Sequence, residues 1–315
     1  MKTFFTLCER NMKLFFKDKG LFLTSLITPI ILLVLYIAFL ANVYRDSMMS
    51  AIPEGFVMPE KLINGIVGGQ LFSSLLAVST VTVTFCANMI MVQDKLTGAA
   101  NDFSVTPLKK PVQAMAYFLS TMCVALVICV FAMAASMIYL ACVGWYLSAG
   151  DVFLLLLDTI ILTLFGTALS SLVNCFAHTQ GQMQAVGTIV SAGYGFICGA
   201  YMPLSNLGSG LQKAASLLPG TYGTALFRNH AMRGAFEALA DSGVPNEVVK
   251  GIKDSIDCNL YFFGDKVSIG AMYGVVILFT VLVIGAYILS AVLLEKKKTK
   301  KIKPLNKPFN FKKKG

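Results

Sequence analysis

The chain has 315 residues, of which 56% are hydrophobic and 13% charged, and its 26 Lys and Arg against 16 Asp and Glu give a formal net charge of +10. Soluble domains carry about 25% charged residues, so these figures exclude an ordinary water-soluble globular domain and point to a polytopic membrane protein. The eight cysteines and two histidines form no CxxC or Cys/His cluster, so no zinc site or disulfide framework is expected, and there is no GxxxxGK[ST] loop to cradle the phosphates of ATP.

Residues 1–20 read as an amphipathic helix. Phe4, Leu7, Cys8, Met12 and Phe15 share one face, while Lys2, Glu9, Arg10, Lys13 and Lys17 supply a polar, basic remainder, the pattern of a helix lying on the inner leaflet. Six apolar runs are then long enough to span a bilayer, which takes roughly 20 helical residues: 21–42, 65–92, 112–142, 152–175, 183–203 and 268–294. The first is as long as a full span and lacks a small-residue cleavage site, so no cleavable signal peptide is expected.

The second run carries a polar stripe, Ser73, Ala77, Thr80, Thr84 and Asn88, at steps of three and four. This face either makes interhelical hydrogen bonds or forms a wall of a pathway. After it comes QDKLTGAANDFSVTPLKKP, Gln93 to Pro111. Asp94, Lys95, Asp102, Lys109 and Lys110 keep this stretch out of the membrane, since each charge at the bilayer centre costs about 3 kcal/mol. Gly98 and Pro107 bracket two or three helical turns, with Asn101 or Asp102 and Ser104 placed to cap them. The result is a small docking knob in water.

Asp158 is the one acid well inside a span, either a structural group reaching the interface or a substrate or proton group. His178 belongs to a short, solvated turn. The fifth run shows Gly187, Ser191, Gly195 and Gly199, a small-residue ridge for close packing within one subunit or against another. Beyond it, Leu207, Leu211, Ala214, Ala215 and Leu218 give a short amphipathic helix that Pro219 stops, and 236–267 reads as a water-exposed acidic cap. The tail, 295–315, holds ten lysines and reads as an extended arm drawn to anionic lipid, not as a nucleic-acid binder. The first twenty residues, the knob and the tail hold 18 of the 26 basic residues. That bias places them, and both termini, on the cytoplasmic side.

The acidic or basic residue followed by Thr97-Gly98 and then Thr106-Pro107-Leu108 before a further span resembles the cytoplasmic coupling helix of ABC-2 type transporter permeases. Arg10, Lys17-Asp18 and Pro29 resemble that family's elbow helix, and a proline after the fifth span, an amphipathic turn, Pro219 and Arg228 resemble its outer re-entrant helices. The resemblance implies an all-α membrane protein of six transmembrane helices, with an elbow helix at 1–20, a transmembrane domain at 21–294, a coupling helix at 93–111, an extracellular segment at 204–267 and the basic tail. It implies a multi-pass plasma-membrane permease subunit of an ATP-driven exporter, not itself an enzyme. ATP and Mg then belong to a separate ABC ATPase subunit, and the partners are that ATPase, a second permease subunit in a homo- or heterodimer, and membrane lipids. Coupling to the ATPase falls to Asp94, Gly98, Asp102, Phe103, Thr106 and Pro107. Pathway candidates are Ser73, Thr80, Thr84, Asn88 and Asp158, which suit an amphipathic drug, peptide or lipid better than a highly charged ion. Two other classes compete: a proton-coupled secondary transporter using Asp158, and a membrane enzyme, which His178 and His230, expected on opposite sides, argue against.

Overall fold

The computed structural model describes residues 2–50, 58–102, 110–177, 179–204, 207–262 and 264–301. An apolar chain in lipid has to satisfy its backbone groups internally, and helices do so within each segment. The chain accordingly folds as α1 (Lys2–Lys17), α2 (Lys19–Leu35) continuing through a π-helical turn (Tyr36–Leu40) into α3 (Ala41–Ser50), α4 (Glu60–Ala87), α5 (Met89–Thr97), α6 (Ala99–Asp102), α7 (Lys110–Val143), α8 (Ala149–Cys175), α9 (Gln180–Ile197), α10 (Ser209–Ala215), α11 (Pro219–Asp241), α12 (Asn246–Ser255) and α13 (Ile269–Lys301), with a two-stranded hairpin, β1 (Tyr261–Phe262) and β2 (Asp265–Lys266), before α13. Polar caps set several starts. Asp18 accepts from the Leu21 amide at 3.0 Å to open α2, Ser148 and Asp151 form a reciprocal capping box at α8, and Thr179 accepts from the Gln182 amide at 3.2 Å to open α9.

Contacts between helices sort the elements into two ends. At one end Phe15 of α1 packs with Leu21, Ile90 and Tyr117, the Tyr287 hydroxyl of α13 donates to the Ala114 carbonyl at 2.9 Å, and α5 meets the end of α8. At the other, a Cβ on Gly144 would lie 2.6 Å from the Lys61 carbonyl oxygen, and the Tyr36 hydroxyl donates to the Ala200 carbonyl at 3.1 Å. Thus α2, α4 with α5, α7, α8, α9 and α13 all run between the ends, and α1, α6 and the end of α13 share one of them. The centre is α4: 89% of its most apolar window is buried, against 28% for α2 and 17% for α13.

Several expectations change. Among the described residues five helices, not six, are long and apolar enough to cross a membrane: Lys19–Leu40, Glu60–Thr97, Lys110–Val143, Ala149–Cys175 and Ile269–Leu293. The expected fifth span is shorter, 180–197, and its first turn carries Gln180, Gln182 and Gln184. Pro219 does not stop a helix but starts one, at the first position of the 23-residue α11, where its missing N–H costs nothing. Gly223 of α11 packs against Leu162, midway along α8, and Gly234 against the Tyr146 carbonyl at the far end. So α10 and α11 enter the bundle halfway and return. The segment 236–267, expected to be a water-exposed cap, contains the last turns of α11, then α12 and the hairpin. It is pinned by Arg228, whose guanidinium lies 3.3 Å from Asp257 and also donates to the Gly199 carbonyl.

Candidate coupling end and transmembrane groove

Helix α4 breaks at Asn88, whose side-chain amide donates to Ser171 at 2.8 Å and Ser170 at 3.3 Å on α8. The short α5 that follows carries two adjacent charges pointing to different neighbours. Asp94 is buried, accepts from both guanidinium nitrogens of Arg10 on α1, one at 2.9 Å, and accepts from the Tyr117 hydroxyl of α7 at 2.6 Å. This pairing with the carboxylate holds the Arg10 guanidinium above its ordinary pKa. Lys95 donates to the carbonyls of Asn174 at 2.9 Å and Cys175 at 3.0 Å, the C-terminal end of α8, where a cation satisfies orphan acceptors and the helix dipole together. One residue pair therefore ties α5 to α1, α7 and α8.

Asp94 is one of the residues expected to couple to the ATPase. Its carboxylate is an internal brace and not part of an exposed docking face, because Arg10 and Tyr117 enclose it. Gly98 ends α5 at φ +86°, the left-handed conformation that favours glycine, and sends the chain into α6. The backbone of Asp102 closes α6. Its side chain, and the whole of Phe103, Thr106 and Pro107, lie outside the described residues, as does His178.

The expected pathway stripe turns inward. The hydroxyls of Ser73, Thr80 and Thr84 donate to carbonyls three residues back on α4, Asn88 faces α8, and all four are buried. Close packing produces this: a Cβ on Gly166 of α8 would sit 2.7 Å from the Thr80 carbonyl oxygen. Asp158 does not reach an interface either. It is fully buried, 2.6 Å from Nδ1 of His230 on α11 and accepting from the Tyr273 hydroxyl of α13, so it joins three helices. The reason is α11, which brings His230 to the depth of Asp158.

The open space is elsewhere. A groove of about 1150 Å³ lies between α2 and α9, floored by Phe85, Cys86, Met89 and Gln93. Its α2 wall is mostly apolar, with Leu21, Ile27, Ile31 and Leu35 beside Thr24 and Thr28; its α9 wall is mixed, with Gln180, Gln184, Thr188 and Ser191 beside Met183 and Phe196; Asp18 stands at one mouth. The other mouth ends at Tyr36 and Tyr201. There the carbonyls of residues 199–201 accept from Arg228, Tyr36 and Tyr44, the last at 3.3 Å, and the Tyr201 hydroxyl donates to the Ser191 carbonyl at 3.2 Å.

The small-residue ridge splits over this geometry. Gly187 and Ser191 line the groove, and a Cβ on Gly187 would meet nothing within 4 Å. Gly195 packs on its own chain, where a Cβ would fall 2.3 Å from the Tyr201 ring, and Gly199 lies beyond the helix at φ +74°. It is not one continuous surface.

Sequence reasoning missed Arg10 and Tyr117 as partners of Asp94, Lys95 as a cap of α8, and His230 as the partner of Asp158. Each pairing joins residues far apart in the chain, and the only local signal is an ionisable group in or beside an apolar run. A family model described as ABC-2 type transporter matches residues 2–231. No curated protein and no solved structure matches the chain.

Proposed function

We propose, from the premise that the chain belongs to the ABC-2 type transporter family, that this multi-pass membrane protein is the permease subunit of an ATP-driven exporter in the plasma membrane. Six helices cross the bilayer, α9 as the polar one, and both termini are cytoplasmic. A separate ABC ATPase, which carries ATP and Mg, docks on the end formed by α5, α6 and the segment up to Pro111, with Gly98, Asp102, Phe103, Thr106 and Pro107 shaping its contact. A second permease subunit faces the groove, so that two copies enclose the path.

The observation that carries this reading is the groove between α2 and α9, set against the packed remainder. A helix that turns Gln180 and Gln184 to the groove is costly against lipid, because unsatisfied polar groups in hydrocarbon cost several kcal/mol. A partner subunit or a passing substrate relieves that cost. A lining that mixes leucines and isoleucines with threonines, glutamines and Ser191 suits an amphipathic drug, peptide or lipid. The brace at Asp94 and Lys95 supports a mechanical role, since motion imposed on α5 is passed to α1, α7 and α8 together.

The test is to purify the chain with its ATPase and measure ATP hydrolysis in vesicles against candidate amphipathic substrates, alongside crosslinking from a cysteine at Thr97 to the ATPase. Substrate-stimulated hydrolysis with a Thr97 crosslink is expected. A strictly monomeric permease that neither crosslinks nor alters hydrolysis would overturn the reading.

A further inference from the structure

We propose that the cleft between α1 and α7 binds one anionic glycerophospholipid, its acyl chain against α7 and its phosphate at Lys17 and Lys13. The proposal rests on the reading that α7 crosses the membrane with α1 along its surface.

Most of the face of α1 expected to lie in lipid packs on protein instead. Leu7 and Cys8 pack on Ala116 of α7, and Phe15 is fully buried with Leu21 and Tyr117. A second apolar edge is left over, with Phe5 62% and Phe16 41% exposed. With Met12 it borders a cleft of about 700 Å³ whose other wall is Leu119 and Cys123, one turn apart on α7. The cleft thus starts at a surface helix and follows a spanning helix inward, the path of an acyl chain entering from the headgroup region.

Its rim is charged at one place only. Glu9, Lys13 and Lys17 edge the cleft; Glu9 pairs with Lys13 at 2.5 Å. Lys17 has no ion-pair partner among the described residues, Lys19 follows it exposed, and the intervening Asp18 caps α2 and lines the other groove. The rim therefore carries an excess of positive charge beside an apolar slot, complementary to a phosphodiester with tails. A zwitterionic headgroup brings its own cation to the same lysines and gains less.

The full chain is reconstituted in phosphatidylcholine vesicles doped either with a phosphatidylglycerol or with a phosphatidylcholine carrying a diazirine on its acyl chain, and labelled peptides are mapped by mass spectrometry. The stretch holding Leu119 and Cys123 is expected to label several-fold more with the anionic probe. Lys13→Gln with Lys17→Gln should remove that preference, at about fivefold per lysine near the surface, and Met12→Trp, which fills the slot, should cut labelling by both probes. Phe131, 70% exposed further along α7, should label equally with either probe in every variant. Equal labelling of the Leu119 stretch by both probes, or a preference that survives loss of both lysines, overturns the site. Labelling at Phe131 with none at Leu119 also overturns it while leaving the spanning helix intact, and no labelling at Phe131 sinks the spanning reading itself.

Discussion

Replacing Arg10 by alanine leaves the Asp94 carboxylate with one donor, Tyr117, in a site where its side chain is only 7% exposed. Removing one partner of a fully buried ion pair costs about 3–5 kcal/mol. The Arg10 side chain is 33% exposed, so water partly replaces it, and the expected loss falls to about 2–3 kcal/mol, the range of a hydrogen bond to a charged group. Asp94→Ala should cost a similar amount, since it strands both the guanidinium and the Tyr117 hydroxyl, while Tyr117→Phe removes one donor and costs about 1 kcal/mol. The double variant Arg10→Ala, Asp94→Ala should be more stable than the sum of its parts by about 1–3 kcal/mol, because the two groups share one interaction. Thermal unfolding of the purified protein in detergent reads these as a drop in Tm of roughly 5–10 °C for Arg10→Ala or Asp94→Ala and about 2–4 °C for Tyr117→Phe, at about 2–4 °C per kcal/mol. An Arg10→Ala protein that melts within about 1 °C of the parent, or a strictly additive double variant, refutes the buried brace.

Gly98→Val forces a β-branched side chain into φ +86°, so α6 should be displaced and ATPase capture weakened, at about 1–2 kcal/mol of strain, with Gly98→Asn milder; equal capture by the two variants counts against the turn. Gly195→Leu drives into the Tyr201 ring 2.3 Å from its Cβ, an overpacking cost of about 1–3 kcal/mol that Tyr201→Ala should relieve, and a failure of that rescue would show that Gly195 faces another subunit. Thr188, exposed on the groove wall of α9, should crosslink between two copies as a cysteine in native membranes, and its remaining monomeric there argues against assembly across the groove. A cysteine at the exposed Lys250 of α12 should react with an impermeant reagent from outside and one at Thr97 should not; the native Cys258 is 2% exposed and unsuited to this test. The reverse labelling pattern inverts the topology.

Hydrophobic length alone located the long helices, because a run of apolar residues in lipid has few alternatives to a helix. The bend at Gly98 was legible because the residue is a glycine beside a polar turn. What the sequence hid was orientation about each helix axis. Small polar residues such as Thr80 and Thr84 satisfy themselves on their own backbone, so a polar stripe marks protein contact as readily as a pathway. Helix α11 escaped notice for a related reason: Arg228, Asn229, His230 and Arg233 make its sequence look like surface, yet Arg228 and His230 are buried against Asp257 and Asp158, and the half-buried Asn229 and exposed Arg233 bond Cys258 and the buried Asp151. A polar helix buried by its partners has no periodic signature of its own.

The distribution of these polar contacts bears on how the subunit moves. Helices α8, α11 and α13 are joined at Asp158, and α11 is joined to α12 and to the turn after α9 through Arg228 and Asp257. Asp158 is absent from the groove lining, so a route for protons through it has no opening into the groove between α2 and α9. Across the groove, by contrast, the polar contacts among the described residues between the end of α2 and the turn after α9 are hydroxyls on backbone carbonyls: Tyr36 on Ala200 and, from α3, Tyr44 on Tyr201. Neutral hydrogen bonds of that kind are worth about 1 kcal/mol each, far less than the buried charge pairs on the other side. If α5 is displaced at the coupling end, the seam between α2 and α9 is therefore where the subunit yields first. Tyr36→Phe with Tyr44→Phe should loosen that seam, raising the reactivity of a cysteine at Ser191 toward a reagent from the Tyr201 side while leaving the melting temperature within a few degrees of the parent. A seam equally closed in the double variant would mean that the apolar contacts of Leu32 and Tyr36 in the core hold it, and that opening starts elsewhere.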